Sequence, residues 1–272
     1  MTYSHLVSLG SSFASGPGIE PIADKAAGRS AQNYPSLLAS SLGAQLTDRT
    51  ASGAKLANIV DRPQRFGLKK LAPQLLHIPR EADLVTITAG GNDLGYIGSM
   101  IRIALASRLQ SNFWGKPAAA LLRPNSLPAV TKDQRSAVVK GLMRVFEAVR
   151  RQMPAARIVL VDYLTVLDAR SINPVDAPFT QAELAALSGL AHTLSDVFQE
   201  VSRQSGVDFI SLRSISADHV VGSPEPWVRG MPNGLRSIAS RPPFHPNVAG
   251  MRAVAAQIHQ VVTEASSPGE VE

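Results

Sequence analysis

Short β-rich apolar runs alternate along this chain with longer stretches of helical period, and that alternation limits the folds open to it. His5–Leu9, Ala82–Thr88, Arg157–Asp162 and Val207–Ile210 read as buried strands. Between and after them lie four helical patterns. Ser30–Leu42 carries Tyr34, Leu37, Leu38 and Leu42 at near-helical spacing and stops at Gly43. Arg135–Arg151 places Val138, Leu142, Val145, Phe146 and Val149 on one face and ends before Pro154. Thr180 with Glu183 forms a capping box that opens a helix to about Arg203, and Val248–Val262 is a closing helix. Strand–helix alternation of this kind predicts an α/β fold, a three-layer α/β/α sandwich around a central parallel sheet. No repeat or linker divides the chain, so one domain is expected over residues 1–265, with a frayed tail at 266–272. Two stretches, Ile97–Ala129 and Ser214–Pro243, break the pattern and are expected to be long covering loops.

Composition removes several function classes. Hydrophobic residues make up 44% and charged residues 18% of the 272, enough for a sizeable core. The net charge of +6 is scattered rather than clustered, and aromatics are only 5%, so neither a nucleic-acid patch nor a base-stacking platform is expected. The absence of cysteine excludes disulfides, thiolate metal sites and a cysteine nucleophile. No apolar run approaches the ~18 residues of a transmembrane helix, and Met1–His5 has no secretory pattern, so a cytoplasmic location is expected. No histidine pair has a convincing i, i+4 metal-ligand spacing, so no metal is expected.

In an open α/β sheet, ligands bind beyond the carboxyl ends of the strands. There the sequence places Gly10-Ser11-Ser12, then Ser52-Gly53, then Gly90-Gly91-Asn92-Asp93, and finally His245 in a Pro-rich loop before the last helix. A hydroxyl, small residues that admit backbone N–H groups, a side-chain amide and an imidazole are the components of acyl transfer. Each is common alone; their succession at strand ends is specific.

These blocks resemble those of the SGNH (GDSL-type) hydrolases of esterases and lipases, a flavodoxin-like fold, and the resemblance spans nearly the whole chain. It implies Ser12 as nucleophile, an oxyanion hole built from the Ser12 and Gly53 N–H groups and the Asn92 amide, and His245 as general base. It also implies a small-molecule or lipid ester substrate, hydrolysed without a cofactor. Pro226–Gly230 and His245–Gly250 are similar to segments of one bacterial and fungal esterase branch. Two positions depart from the family. Ser11 replaces the Asp before the nucleophile, and Pro242 stands where the triad Asp would be. Some members similar to this chain orient the histidine through a main-chain carbonyl instead. The expectation is therefore a Ser-His dyad in which the Pro242 carbonyl accepts the His245 Nδ1–H, since proline keeps its C=O.

Other residues have blander readings. Asn92 and Asp93 suit turn and capping positions, Trp227 suits packing, and Arg102, Arg108, Lys116 and Arg123 suit a solvated cover rather than an anionic head group. His219 beside Asp218 is an alternative base, and Asp208 or Asp218 an alternative partner for the imidazole. An acyltransferase on the same site, or a non-catalytic binding domain of this fold, are the rival functions.

Overall fold

A computed structural model of the protein describes residues 2–264, apart from residues 67, 68, 112, 172 and 174. From the N-terminus, β1 (His5–Gly10) runs into the single-turn helix α1 (Ser12–Ser15). A small antiparallel pair, β2 (Ile22–Asp24) and β3 (Arg29–Ser30), precedes α2 (Tyr34–Leu42) and β4 (Gln45–Asp48). After α3 (Leu56–Val60) comes a second small pair, β5 (Gln64–Phe66) and β6 (Lys69–Leu71), and then β7 (Leu84–Thr88). There follow α4 (Tyr96–Gln110), a 3-10 turn at Phe113–Gly115, α5 (Lys116–Leu122) and α6 (Lys132–Gln152). The chain continues through β8 (Arg157–Val161), α7 (Gln181–Ser205), β9 (Asp208–Ile210), α8 (Arg213–Ser216), α9 (Leu235–Ser240) and α10 (Val248–Glu264).

The central sheet has five parallel strands in the order β4-β1-β7-β8-β9, with Val7 opposite both Thr47 and Val85. The chain moves from β1 to β4 in one direction and from β4 through β7 to β9 in the other. Right-handed crossovers therefore place α2 on one face and α3, α6 and α7 on the opposite face. The packing agrees: α10 lies against α2, and α6 lies against α3 and α7. Leu6, Val7, Leu84, Val85, Val159 and Leu160 are fully buried in the middle layer. The direction reverses between β1 and β7, and that crevice is where a doubly wound sheet places its ligand site.

Local chemistry fixes the element ends. Thr131 and Gln134 cap α6 reciprocally, as do Thr180 and Glu183 at α7. The helix expected from Ser30 begins instead at Tyr34. Arg29–Ser30 pairs as β3, and the Asn33 side chain accepts the Ser36 N–H at 3.0 Å, which starts the helix there. The strand expected from Val207 begins at Asp208. Ile97–Ala129 is largely helical rather than a loop. Tyr96, Ile97, Met100 and Ile103 are buried along α4, but Ile101 and Leu105 are apolar and half-buried too, so the stretch lacks the polar face that makes helical period visible. Ser214–Pro243 contains α9 and the end of α8 within mostly irregular chain. The tail expected at 266–272 lies outside the described residues. Among the described residues no helix is long and apolar enough to cross a membrane.

Candidate active site

The turn after β1 leaves no room for a side chain at its first residue. Gly10 has φ +144°, and a Cβ there would lie 2.3 Å from the Thr88 carbonyl oxygen. Gln74 holds this glycine from both sides: Gly10 N–H donates to Oε1 at 2.8 Å, and Nε2 donates to the Gly10 carbonyl at 2.9 Å. Ser11 N–H then donates to the Thr88 carbonyl at 2.9 Å, and Ser12 opens α1 as its first residue. The first N–H groups of a helix have no partner within it. Among the described residues, the Ser12 N–H has no acceptor.

The other blocks converge on this turn. Ala51 N–H donates to the Gly10 carbonyl at 3.1 Å, bringing Ser52-Gly53 beside it. Gly53 has φ +79°, and its N–H likewise has no acceptor among the described residues. Gln64 Nε2 supports this loop by donating to the Ser52 carbonyl at 2.6 Å. Asn92 Nδ2 donates to the Ala54 carbonyl at 2.9 Å, so one amide hydrogen is committed and the other is left for a ligand. Asp93 does not cap the segment that follows it. Its Oδ2 accepts the Leu56 N–H at 3.2 Å and so caps α3, locking the second block to the third. Burial raises the Asp93 pKa, opposed by that N–H.

Tyr163, one residue beyond the β8–Asp162 run, joins the first block to the third. Gly91 N–H donates to its hydroxyl at 3.1 Å, and the hydroxyl lies 3.1 Å from Ser11 Oγ, which reaches the Thr88 carbonyl at 3.4 Å. Donor accounting gives the chain one direction: Gly91 N–H to Tyr163 Oη–H to Ser11 Oγ–H to Thr88 O. The tyrosine ring packs 4.6 Å from that of Phe13, centroid to centroid. Burial pushes the phenol up to about 12, so it remains a neutral donor. Ser11 thus replaces a carboxylate with one link of a neutral hydrogen-bond chain.

His245 sits in the loop before α10, its ring centroid 5.8 Å from that of Phe13, next to Ser12. The acceptor at Nδ1 is the Pro243 carbonyl at 2.7 Å, not that of Pro242 as the sequence suggested. The reason is the backbone of Phe244, whose φ of +59° turns the chain so that the nearer carbonyl faces the ring. Burial pushes the imidazole down to about 4; the Pro243 carbonyl opposes this, Arg229 adds to it, and the Pro242 carbonyl opposes it more weakly. A carbonyl can only accept, so Nδ1 carries the proton and Nε2 has the free lone pair. Among the described residues the Ser12 hydroxyl and the imidazole share no hydrogen bond.

The alternatives lie elsewhere. His219 Nδ1 is 2.7 Å from the Glu225 carbonyl, and its ring stacks on Trp227 at 3.8 Å, so neither contact reaches α1. Asp208 pairs with Arg157 at 2.6 Å and Asp218 with Arg170 at 3.0 Å, so both carboxylates are engaged away from His245. Asp162 is buried, accepts from Ser195 Oγ at 2.7 Å and has its pKa pushed up to about 6 by burial. Sequence reasoning missed Tyr163 and Gln74. Tyr163 follows a strand as the other site blocks do, whereas Gln74 lies in irregular chain with no local signal.

A cavity of about 570 Å³ opens between the end of α4, Arg123 and the Phe179–Thr180 segment, and none of the Ser12, Gly53, Asn92 or His245 side chains lines it. The Phe179 ring lies 5.5 Å from that of Phe244, the residue before His245.

A parallel sheet in the order β4-β1-β7-β8-β9 with a serine, two backbone donors, an amide and an imidazole gathered at its switch point defines the SGNH class of α/β ester hydrolases. The chain belongs to the GDSL-like Lipase/Acylhydrolase family, whose model matches residues 8–253. It is 27% identical over 256 residues to Lipase 2 of Streptomyces coelicolor, covering 92% of this chain and 82% of that protein. A lipase of Streptomyces rimosus is 26% identical over 248 residues, covering 90% and 81%. Among solved structures, the extracellular lipase of Streptomyces rimosus is similar with a TM-score of 0.67 at 23% identity, covering 97% of this chain and all (100%) of that one. Phospholipase A1 of Streptomyces albidoflavus is similar with a TM-score of 0.70 at 20% identity, covering 96% and 99%.

Proposed function

We propose that the protein hydrolyses carboxylic esters of lipids through an acyl-enzyme on Ser12, with His245 as general acid and base. Nε2 takes the Ser12 proton as Oγ attacks the ester carbonyl, and the C=O electron pair moves onto oxygen. The Ser12 and Gly53 N–H groups and the free Asn92 amide hydrogen meet that oxyanion. Collapse expels the alcohol, which leaves with the proton from Nε2. Water, deprotonated by the same nitrogen, then releases the acid. The observation that carries this reading is the Nδ1 contact to the Pro243 carbonyl at 2.7 Å, which fixes the tautomer that leaves Nε2 as a base. The lipid part of the reading is supported by the lipases among the relatives.

The test is hydrolysis of p-nitrophenyl acetate and octanoate by wild type and Ser12→Ala, with fluorophosphonate labelling of both. Activity and labelling lost together in the variant support the serine mechanism. Full activity in Ser12→Ala removes it, and an inert wild type favours a binding domain. A cytoplasmic location is likewise proposed, supported by the cysteine-free sequence, and cell fractionation tests it.

A further inference from the structure

The most exposed large apolar side chains do not lie at the catalytic centre but on the hairpin formed by α4, the 3-10 turn and α5. Trp114 is 90% exposed, Leu121 83% and Phe113 75%. The two aromatic rings meet edge to face at 5.5 Å, so they hold each other in place while facing solvent. Along α5, Ala118 and Leu121 stand three residues apart, one helical turn beyond Trp114, and both are exposed. Three such residues on one projection are more than the scattered apolar exposure of an ordinary surface.

The charge carried by this segment has one sign. Between Asp93 and Asp133 the sequence contains no carboxylate, but it contains Arg102, Arg108, Lys116, Arg123 and Lys132. Lys116 is exposed, with its ammonium 5.9 Å from the centre of the Phe113 ring. Exposed tryptophan and phenylalanine beside basic residues are the side chains that enter a lipid–water interface. The absence of acidic residues from this segment, with Lys116 exposed beside the aromatic pair, suits an anionic surface rather than a neutral one.

The hairpin is also firmly attached to the body of the protein. Arg108 donates to the carbonyls of Val175, Met231 and Pro232, and Arg123 pairs with Glu183 at 3.0 Å at the start of α7. These same two arginines line the cavity walled by Phe179, whose ring lies 5.5 Å from that of Phe244, the residue before His245. A surface seated on the hairpin would therefore present its lipids at the mouth of that cavity.

We propose that the α4–α5 hairpin docks the enzyme on an anionic phospholipid bilayer. This rests on the ester-hydrolase reading only for its purpose; binding itself is independent of catalysis. The experiment is co-sedimentation of the full chain with vesicles of phosphatidylcholine alone or mixed with phosphatidylglycerol, alongside hydrolysis of soluble p-nitrophenyl acetate. Wild type is expected to bind the mixed vesicles, with a blue shift of tryptophan emission, and to bind neutral vesicles at least tenfold more weakly. The double variant Phe113→Ser/Trp114→Ser should lose more than tenfold in partitioning, and Lys116→Gln about fivefold. Both should keep p-nitrophenyl acetate hydrolysis within twofold of wild type.

Absence of vesicle binding by wild type, or equal binding by the double variant, overturns the proposal. So does a wild-type dimer that the double variant dissociates in sedimentation equilibrium, because the patch would then belong to a second copy of the chain. Failure of wild type on the soluble ester strikes the catalytic reading instead, and leaves the vesicle result to be judged by itself.

Discussion

Replacing Tyr163 by Phe removes one oxygen atom and keeps the ring that packs on Phe13. That oxygen accepts the Gly91 N–H at 3.1 Å and donates to Ser11 Oγ at 3.1 Å. Ser11 has a second partner in the Thr88 carbonyl at 3.4 Å and can tighten onto it, so its loss is small. The buried Gly91 N–H has no such alternative, and leaving a buried donor unpaired costs about 1–3 kcal/mol. Tyr163→Phe should therefore lower stability by about 2 kcal/mol, or roughly 4–8 °C in Tm for a chain of this size. The same bond fixes the turn that carries Asn92 against the turn that carries Ser12. A shift there disturbs oxyanion contacts made most strongly in the transition state, so kcat should fall at least tenfold with KM nearly unchanged. Urea unfolding and steady-state ester hydrolysis read the two effects. Ser11→Ala and the double variant complete a cycle that isolates the Tyr163–Ser11 link from the Tyr163–Gly91 link. A Tyr163→Phe protein within 0.5 kcal/mol and twofold in kcat of wild type, both rough bounds for a change without effect, would refute the hydrogen-bond chain as a positioning device.

Asn92→Ala removes one oxyanion donor and should lower kcat by about 10²–10³ while fluorophosphonate still labels Ser12. Gly10→Ala forces a Cβ to 2.3 Å from the Thr88 carbonyl oxygen, so a loss of about 3 kcal/mol or more is expected in urea unfolding. The acid limb of kcat/KM should lie near pH 4, where His245 protonates, rather than near the ordinary imidazole value of 6.5. Asp162 changes the stability profile in the opposite sense to a buried neutral histidine. Its folded pKa of about 6 lies above the ordinary carboxyl value of 3.8, so the stability it confers is present below 3.8 and is lost as pH rises through 6. Relative to wild type, Asp162→Asn should therefore become less favourable by up to about 3 kcal/mol on acidifying from pH 7 to pH 4, measured by urea unfolding.

Most of the sheet was legible because its inner strands are buried runs, and runs such as Leu84–Thr88 carry their signal within five residues, whereas the edge strand β4, exposed or half-buried along its length, offers no apolar run to read. The active-site blocks were legible for a related reason: turns at strand ends need particular residues. Gly10 fits where no Cβ can, and Gly53 adopts a positive φ. The chain did not reveal α4, because a helix apolar on most sides has no contrast to read. Nor did it reveal which carbonyl holds His245, since the choice between Pro242 and Pro243 turns on the single backbone angle of Phe244. Tyr163 and Gln74 are long-range partners, 152 and 64 residues from the groups they hold at the first block, and such pairings appear only once the sheet brings them together.

A carbonyl in place of a carboxylate changes where the energy of the reaction must come from. A carboxylate orients the imidazole and also stabilises the imidazolium formed when serine attacks. The Pro243 carbonyl performs the first task with a dipole and the second only weakly, and Arg229 works against it. The depression from 6.5 to about 4 corresponds to about 3 kcal/mol against charging the ring in the free enzyme. The imidazolium is not formed alone, however. It appears beside a tetrahedral oxyanion, and the two charges arise as a pair in a buried site where their attraction is strong. Whatever fixes the oxyanion near the ring therefore also recovers the basicity of His245. The burden moves from the missing carboxylate to the Ser12 and Gly53 N–H groups and the Asn92 amide, and to the Tyr163 chain that holds two of their three turns together. On this account, Asn92→Ala should reduce the height of the kcat–pH profile and leave its acid limb in place, because the limb reports His245 in the enzyme–substrate complex, before any oxyanion has formed. A displaced acid limb would instead mean that Asn92 acts on His245 before the reaction begins, and would overturn its assignment to the oxyanion alone.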